Sequence, residues 1–101
     1  MRQIGKTFIV QAFADDNYKN VVYINFKDNE SAKKIFDGDF VVNQMTLDIS
    51  ALIPGVHFVP GETVIIFDEV QECANARASI KAFMLDGRYD IICTGSLLGI
   101  K

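Results

Sequence analysis

The sequence has few of the features that define several common classes of protein. Its 101 residues include two cysteines, Cys73 and Cys93, whose separation does not match the spacing of metal ligands. A reduced, cytoplasmic chain is favoured, and a disulfide between the two stays the alternative. Lysines and arginines are scattered and the formal net charge is −3, so nothing indicates a surface that binds nucleic acid.

Long apolar runs are also absent. No stretch approaches the roughly 18 consecutive apolar residues of a membrane-spanning helix. The first residues do not show an apolar region followed by a small-residue cleavage site, so no signal peptide is expected. With 50% hydrophobic and 23% charged residues, the composition is instead that of one small globular domain.

Helical and strand patterns alternate along the chain. The predicted helices are Lys6 to about Asn17, residues 28–38, Asn43–Leu52 and Glu72–Leu85, and the predicted strands are Val21–Phe26, Thr63–Phe67 and Asp90–Gly95. The strands are continuously apolar, as in parallel sheets that are buried on both faces. The sequence therefore predicts an α/β fold with three parallel strands in chain order.

The tripeptide Gly5-Lys6-Thr7 stands where the first helix is predicted to begin. A helix start favours anions, and Gly5 allows the backbone to approach a phosphate group. Lys6 can reach the β- and γ-phosphate oxygens of a nucleotide, and the Thr7 hydroxyl can bind Mg²⁺. Taken alone, the tripeptide is better explained as an ordinary helix start.

Two acidic residues, Asp68 and Glu69, follow the second predicted strand in the stretch "TVIIFDEVQ". Carboxylates at the end of a buried parallel strand are costly unless a cation uses them, and open α/β sheets bind ligands at that end. Asp68 would hold Mg²⁺, and Glu69 would act as a general base on a water molecule. The alternative is that both acids cap the helix that begins near Glu72.

A third signal is "IICTGS", where the last predicted strand ends. Thr94 and Ser96 are the candidates for contacting the γ-phosphate or the attacking water, and Ser96 is favoured. A plain turn after the strand would explain this segment alone. The three signals occur in the order of a phosphate loop, an acidic strand end and a polar strand end, so together they favour a nucleotide site.

Four stretches also resemble a known family. "RQIGKTF", "NVVYINF", "IIFDEVQECANA" and "IICTGSLLG" are similar to the prokaryotic AAA+-type P-loop ATPases in which a short ATPase domain precedes a separate C-terminal domain. The resemblance implies a three-layer P-loop NTPase-like core with sheet order 5-1-4-3-2, ATP and Mg²⁺ as ligands, and the acid pair at the catalytic site. The residues it implies are, for the nucleotide, Gly5, Lys6, Thr7 and Phe8; for Mg²⁺, Thr7 and Asp68; and for catalysis, Glu69 and Ser96.

The same resemblance implies that residues 1–101 are a partial ATPase domain. The first strand and first loop glycine of the family would precede Met1, which leaves one edge of the third predicted strand, Asp90–Gly95, unpaired. We expect self-association through that edge, ATP affinity no better than millimolar, and no measurable ATPase activity from the isolated chain.

Three functional hypotheses stay open at this point. The first is an ATP hydrolase, the second a nucleotide kinase-like phosphotransferase, and the third a non-catalytic module that binds no nucleotide. Glu69 speaks against the kinase, because a second acid suits the activation of water. The incomplete phosphate loop favours the third hypothesis for the isolated chain.

Overall fold

The computed structural model describes residues 2–95, with side chains from residue 9 onwards. The helices are α1 (Arg2–Asn17), α2 (Glu30–Lys33), α3 (Val42–Leu52) and α4 (Ala74–Asp86), and the strands are β1 (Asn20–Asn25), β2 (Thr63–Asp68) and β3 (Asp90–Cys93). Two short 3₁₀ turns, Lys34–Phe36 and Val70–Glu72, follow α2 and β2. The alternation of helices and strands confirms the predicted α/β fold.

The three strands form one parallel sheet in the order β1-β2-β3. The register pairs Asn20 with Thr63 at one end of β1 and Asn25 with Asp68 at the other. On its other side β2 pairs with β3, from Val64 opposite Asp90 onwards. The predicted strand order and direction are therefore confirmed, and β2 is the central strand.

Every residue of β2 is buried, which explains its unbroken apolar sequence. Ile65 and Phe67 face the side of the sheet that is covered by α3 and α4. Val64 and Ile66 face the opposite side, where they pack against Ala14 of α1. The sheet is thus covered by helices on both faces, as in a three-layer α/β core.

An aromatic cluster fills the core on the α3 and α4 side. The ring of Phe67 lies edge-to-face against Phe26, Phe36 and Phe83, at centroid distances of 5.4, 5.5 and 6.3 Å. All four rings are at most 1% exposed. Such pairs add to the free energy that burial of the rings contributes, and they fix the central strand whose last residue is Asp68.

Several element boundaries differ from those predicted. Helix α1 begins at Arg2, four residues before the predicted start at Lys6. β1 ends at Asn25 because its side-chain oxygen accepts hydrogen bonds from the amides of Lys27 and Asp28, which turns the chain. The predicted helix start at Glu72 is wrong, since Cys73 has an extended backbone and α4 begins after it.

The two cysteines are free thiols, Cys73 buried and Cys93 half-buried. Burial raises the pKa of the Cys93 thiol above its ordinary value. That thiol is therefore neutral near pH 7. Among the helices of residues 2–95, none is long and apolar enough to cross a membrane.

Candidate functional site

The carboxyl ends of the three strands meet around the side chain of Asp68. This residue ends the central strand and is only 5% exposed. Its Oδ2 accepts a hydrogen bond from the Tyr23 hydroxyl on β1. Its Oδ1 accepts a hydrogen bond from the Thr94 hydroxyl, directly after β3. One carboxylate is thus held from both neighbouring strands, and both of its oxygens act as acceptors.

The side chain of Asp68 lies on the face of the sheet that α1 covers. Side chains alternate along a strand, so Asp68 shares a face with Ile66, which packs against Ala14 of α1. A predicted magnesium ligand and the helix that carries Lys6 and Thr7 therefore occupy the same side of the sheet. The alternative, in which Asp68 caps the next helix, does not fit, because α4 begins six residues later at Ala74.

Gly5, Lys6, Thr7 and Phe8 lie in the first turns of α1. The helix runs antiparallel to β1, because only Tyr18 and Lys19 connect the two. At about 1.5 Å per residue, the helix from Lys6 to Asn17 spans roughly 17 Å, which matches the length of β1 at about 3.3 Å per residue. A helix that lay along β1 would bring the backbone of Lys6 level with the carboxyl ends of the strands.

The tripeptide Gly5-Lys6-Thr7 lies inside α1, which begins at Arg2, and not at the start of the helix as predicted. In a helix that starts there, the amides from Lys6 onwards serve helical hydrogen bonds, whereas a phosphate loop presents such amides to its ligand. Binding of a phosphate group at Lys6 and Thr7 would require the first turn of α1 to open. The assignment of these residues to a nucleotide stays a prediction.

Glu69 follows Asp68 and is 7% exposed. Its backbone has φ 55° and ψ 45°, the left-handed region, and it is the only residue other than glycine with positive φ within residues 2–95. Such a conformation costs about 1–3 kcal/mol for an ordinary residue and is concentrated at functional sites. The Oε1 of Glu69 accepts a hydrogen bond of 2.6 Å from Nε2 of Gln71.

The end of β3 is tied to the segment that carries Glu69. The amide of Val70 donates to the carbonyl oxygen of Thr94 at 3.1 Å, and the amide of Thr94 donates to the carbonyl oxygen of Phe67 at 2.9 Å. The predicted strand end at Gly95 is two residues too long, but this bonding continues as far as Thr94. Ser96, predicted as a catalytic residue, lies outside the described residues, whereas Thr94, its alternative, contacts Asp68.

The oxygen groups around Asp68 fit a magnesium ion that is shared with phosphate groups. No cluster of three or more carboxylate, imidazole or thiol groups occurs in the part of the chain that the structure describes. Magnesium needs no such cluster, because it usually binds one or two protein oxygens together with water and substrate phosphates. A single fixed carboxylate at the strand end suits that arrangement.

Sequence reasoning missed two residues of this site, Tyr23 and Gln71. Tyr23 contacts Asp68, and Gln71 contacts Glu69. Tyr23 could have been found from the sequence, because it stands in the apolar stretch "NVVYINF" and the hydroxyl of a buried tyrosine needs a hydrogen-bond partner. Gln71 gave no comparable signal, because a glutamine after a strand is most often exposed.

The parallel sheet covered on both faces, with an acid pair at the end of the central strand, is consistent with a P-loop NTPase-like core. A family model described as "AAA domain" matches residues 1–101, and the chain belongs to that family. At the family level this indicates an ATPase-like function with ATP and Mg²⁺ as the usual ligands. No curated protein and no solved structure matches the chain.

Proposed function

We propose that residues 1–101 form a partial P-loop ATPase domain. In an extended protein, lengthened upstream by roughly ten residues or about one strand length, this domain binds ATP with Mg²⁺ and hydrolyses it in the cytoplasm, whereas the isolated chain hydrolyses no measurable ATP. The observation that carries the proposal is the position of Asp68 and Glu69, both buried at the carboxyl end of the central strand. Open α/β sheets bind their ligands at that end. The free thiols of Cys73 and Cys93 support a reducing compartment.

The magnesium ion, when bound, would neutralise charge on the β- and γ-phosphate oxygens. Asp68 would hold it with Thr7, directly or through water, and the hydroxyls of Tyr23 and Thr94 would keep the carboxylate in place. Lys6 would supply a positive charge to the same phosphate oxygens. Each of these groups belongs to the strand ends or to the first turns of α1.

Glu69 would accept a proton from the attacking water as general base. Its burial limits competition from bulk water, and its bond to Gln71 engages one carboxylate oxygen. Ser96, which follows β3, would contact the γ-phosphate or that water. Thr94 has a different role in this proposal, because its hydroxyl is engaged with Asp68.

The second candidate is a module that binds no nucleotide. The start of α1 at Arg2 favours it, because the amides of Lys6 and Thr7 are then used within the helix. Opening the first turn would cost free energy and lower ATP affinity. We therefore expect a dissociation constant for ATP near or above millimolar, equivalent to about −4 kcal/mol of binding free energy.

The proposal includes self-association through the free edge of β3. Within residues 2–95, β3 pairs only with β2, so the backbone groups of its other edge lack a strand partner. A groove of about 450 Å³ follows this edge, lined in part by Phe13 of α1, Met84 of α4 and Ile92 of β3. A second β3 strand, whose residues Ile91, Ile92 and Cys93 are apolar, suits this groove.

Calorimetric titration of the isolated chain and of the extended protein with ATP, in the presence and absence of Mg²⁺, separates the two candidates. An ATPase domain should show binding that depends on Mg²⁺ and is lost in Lys6→Ala, which removes the cation from the phosphate groups. Lys19→Ala is the matched control, because Lys19 follows the opposite end of α1 and its only ion pair in the described residues is with Glu62. Equal binding by both variants would contradict the assignment of Lys6.

A further inference from the structure

We infer that Gln71 is a positioning residue that holds the carboxylate of Glu69 for catalysis. The inference rests on the proposed function, in which Glu69 accepts a proton from water. Nε2 of Gln71 donates to Oε1 of Glu69 at 2.6 Å, and the bond is partly buried. A hydrogen bond to an ionised acceptor away from water is stronger and more directional than one between neutral groups.

The backbone of Glu69 leaves the direction of its side chain unset by the sheet. Its left-handed conformation turns the chain sharply after Asp68, so the Glu69 side chain does not continue the alternation of β2. No cap hydrogen bond from the Glu69 side chain occurs at the 3₁₀ turn that follows. Gln71, two residues further on, supplies the contact that fixes the direction of the carboxylate.

The backbone of Gly95 in turn limits the positions open to the side-chain amide of Gln71. A Cβ atom built on Gly95 would lie 2.1 Å from Oε1 of Gln71, closer than any real contact allows. The backbone of Gly95 therefore packs directly on the amide group of Gln71. Oε1 of Gln71 is buried and accepts no hydrogen bond among the described residues. The amide thus has one orientation that serves Glu69, with Nε2 towards the carboxylate and Oε1 towards Gly95.

This arrangement assigns different roles to the two oxygens of Glu69. Gln71 engages Oε1, and among the hydrogen bonds of the described residues none involves Oε2. Oε2 is therefore the oxygen that would accept the proton from water. Loss of the Gln71 contact would let the carboxylate rotate, and the geometry that a general base requires would be populated less often.

The first test, in the extended protein, replaces Gln71 with methionine, which has a similar length and no donor. Gln71→Met should lower kcat roughly 10- to 100-fold, the expected effect of losing a hydrogen bond to a charged group, and leave KM for ATP unchanged. Gln44→Met is the matched control, because Nε2 of Gln44 donates to Oδ1 of Asp48 at 3.0 Å on the surface of α3. It should leave kcat unchanged.

A double-mutant cycle separates positioning from a general structural effect. In a Glu69→Gln background, Gln71→Met should have no further effect on kcat, because the group it positions no longer acts as a base. The same fold-loss in both backgrounds would overturn the inference. Glu69→Gln hydrolysing at the rate of the unsubstituted extended protein, or an extended protein with no hydrolysis, would overturn the proposed function and the role of Gln71 with it.

Gly95→Ala tests the same contact without changing Gln71 or Glu69. The added methyl group should displace the amide of Gln71 and reproduce the loss of kcat. In a Gln71→Ala background there is room for that methyl group, so Gly95→Ala should have no additional effect. Additive losses would contradict the assigned contact.

A spectroscopic measurement tests the contact independently of hydrolysis. In ¹⁵N-labelled protein, one side-chain amide proton of Gln71 should be shifted downfield and exchange slowly with water. Glu69→Met should abolish both properties, while the side-chain amide signals of Gln44 stay as they are. If the Gln71 signals resemble those of an exposed glutamine in the parent, the inference is wrong even where ATP is hydrolysed.

Discussion

The hydroxyl of Thr94 donates a hydrogen bond to Oδ1 of Asp68, which joins the end of β3 to the end of β2. Tyr23 makes the corresponding bond to Oδ2 from β1. The central carboxylate is therefore oriented before any ligand binds. A site of this kind needs little rearrangement when an ion binds, which is the condition for effective electrostatic stabilisation.

We predict that Asp68→Asn weakens the Mg²⁺ dependence of ATP binding. The substitution removes the negative charge and replaces one acceptor oxygen with an amide donor that faces a hydroxyl. A titration of metal at fixed ATP concentration measures the effect. Asp90→Asn is a matched control, because Asp90 accepts a hydrogen bond from Tyr18 at the other end of the sheet. A normal metal dependence in Asp68→Asn would refute the magnesium assignment.

The stability of the hydrophobic core should depend strongly on Phe67. Its ring contacts three other aromatic rings and is fully buried. Phe67→Ala should lower the free energy of unfolding by about 3–5 kcal/mol, since it removes a large side chain and leaves a cavity. Phe13→Ala, at a ring that is 54% exposed, should cost far less. Denaturant unfolding of both variants measures the difference, and equal losses would contradict a central role of the Phe67 ring in the core.

The strands of this fold could be predicted from the sequence because burial on both faces imposes an apolar run. "TVIIF" gave β2 to within one residue, and the acids that follow it marked the end of the sheet where ligands bind. The contacts of Tyr23 and Gln71 could not be predicted, because they depend on strand register and on the left-handed backbone of Glu69. Neither the strand register nor the backbone conformation of Glu69 can be predicted from local composition.

The predicted start of α1 at Lys6 is wrong, and local sequence could not have corrected it. The stretch "RQIGKTF" was assigned from its likeness to a phosphate loop, whereas helical hydrogen bonding in α1 begins at Arg2. Chain propensity alone does not oppose a helix there, since only Gly5 disfavours it and by roughly 1 kcal/mol. A bound phosphate group would stabilise the loop conformation relative to the helix.

Self-association should depend on the outward edge of β3. Both backbone groups of Thr94 bond towards β2, so by alternation those of Ile91 and Cys93 point away from it. Sedimentation velocity over a range of concentrations should show an oligomer in the parent. Cys93→Pro should reduce it, because proline removes one outward donor while pairing with β2 is kept.

Circular dichroism provides the control for that variant, since the far-ultraviolet spectrum should match that of the parent. An alanine at the same position, Cys93→Ala, separates the loss of the thiol from the loss of the amide. A parent that stays monomeric at the highest concentration would disprove association through β3. So would a folded Cys93→Pro variant that associates as strongly as the parent.

Phosphate release from ATP by Glu69→Gln, compared with the unsubstituted extended protein, decides whether Glu69 is the general base. ATP should exceed its dissociation constant about tenfold, so that weak binding does not limit the rate. We predict that the variant binds ATP as the parent does and hydrolyses it roughly 10²–10⁴-fold more slowly, the usual effect of losing a general base. Hydrolysis at the parental rate would show that Glu69 is only an acid after a strand, and would contradict the proposed mechanism.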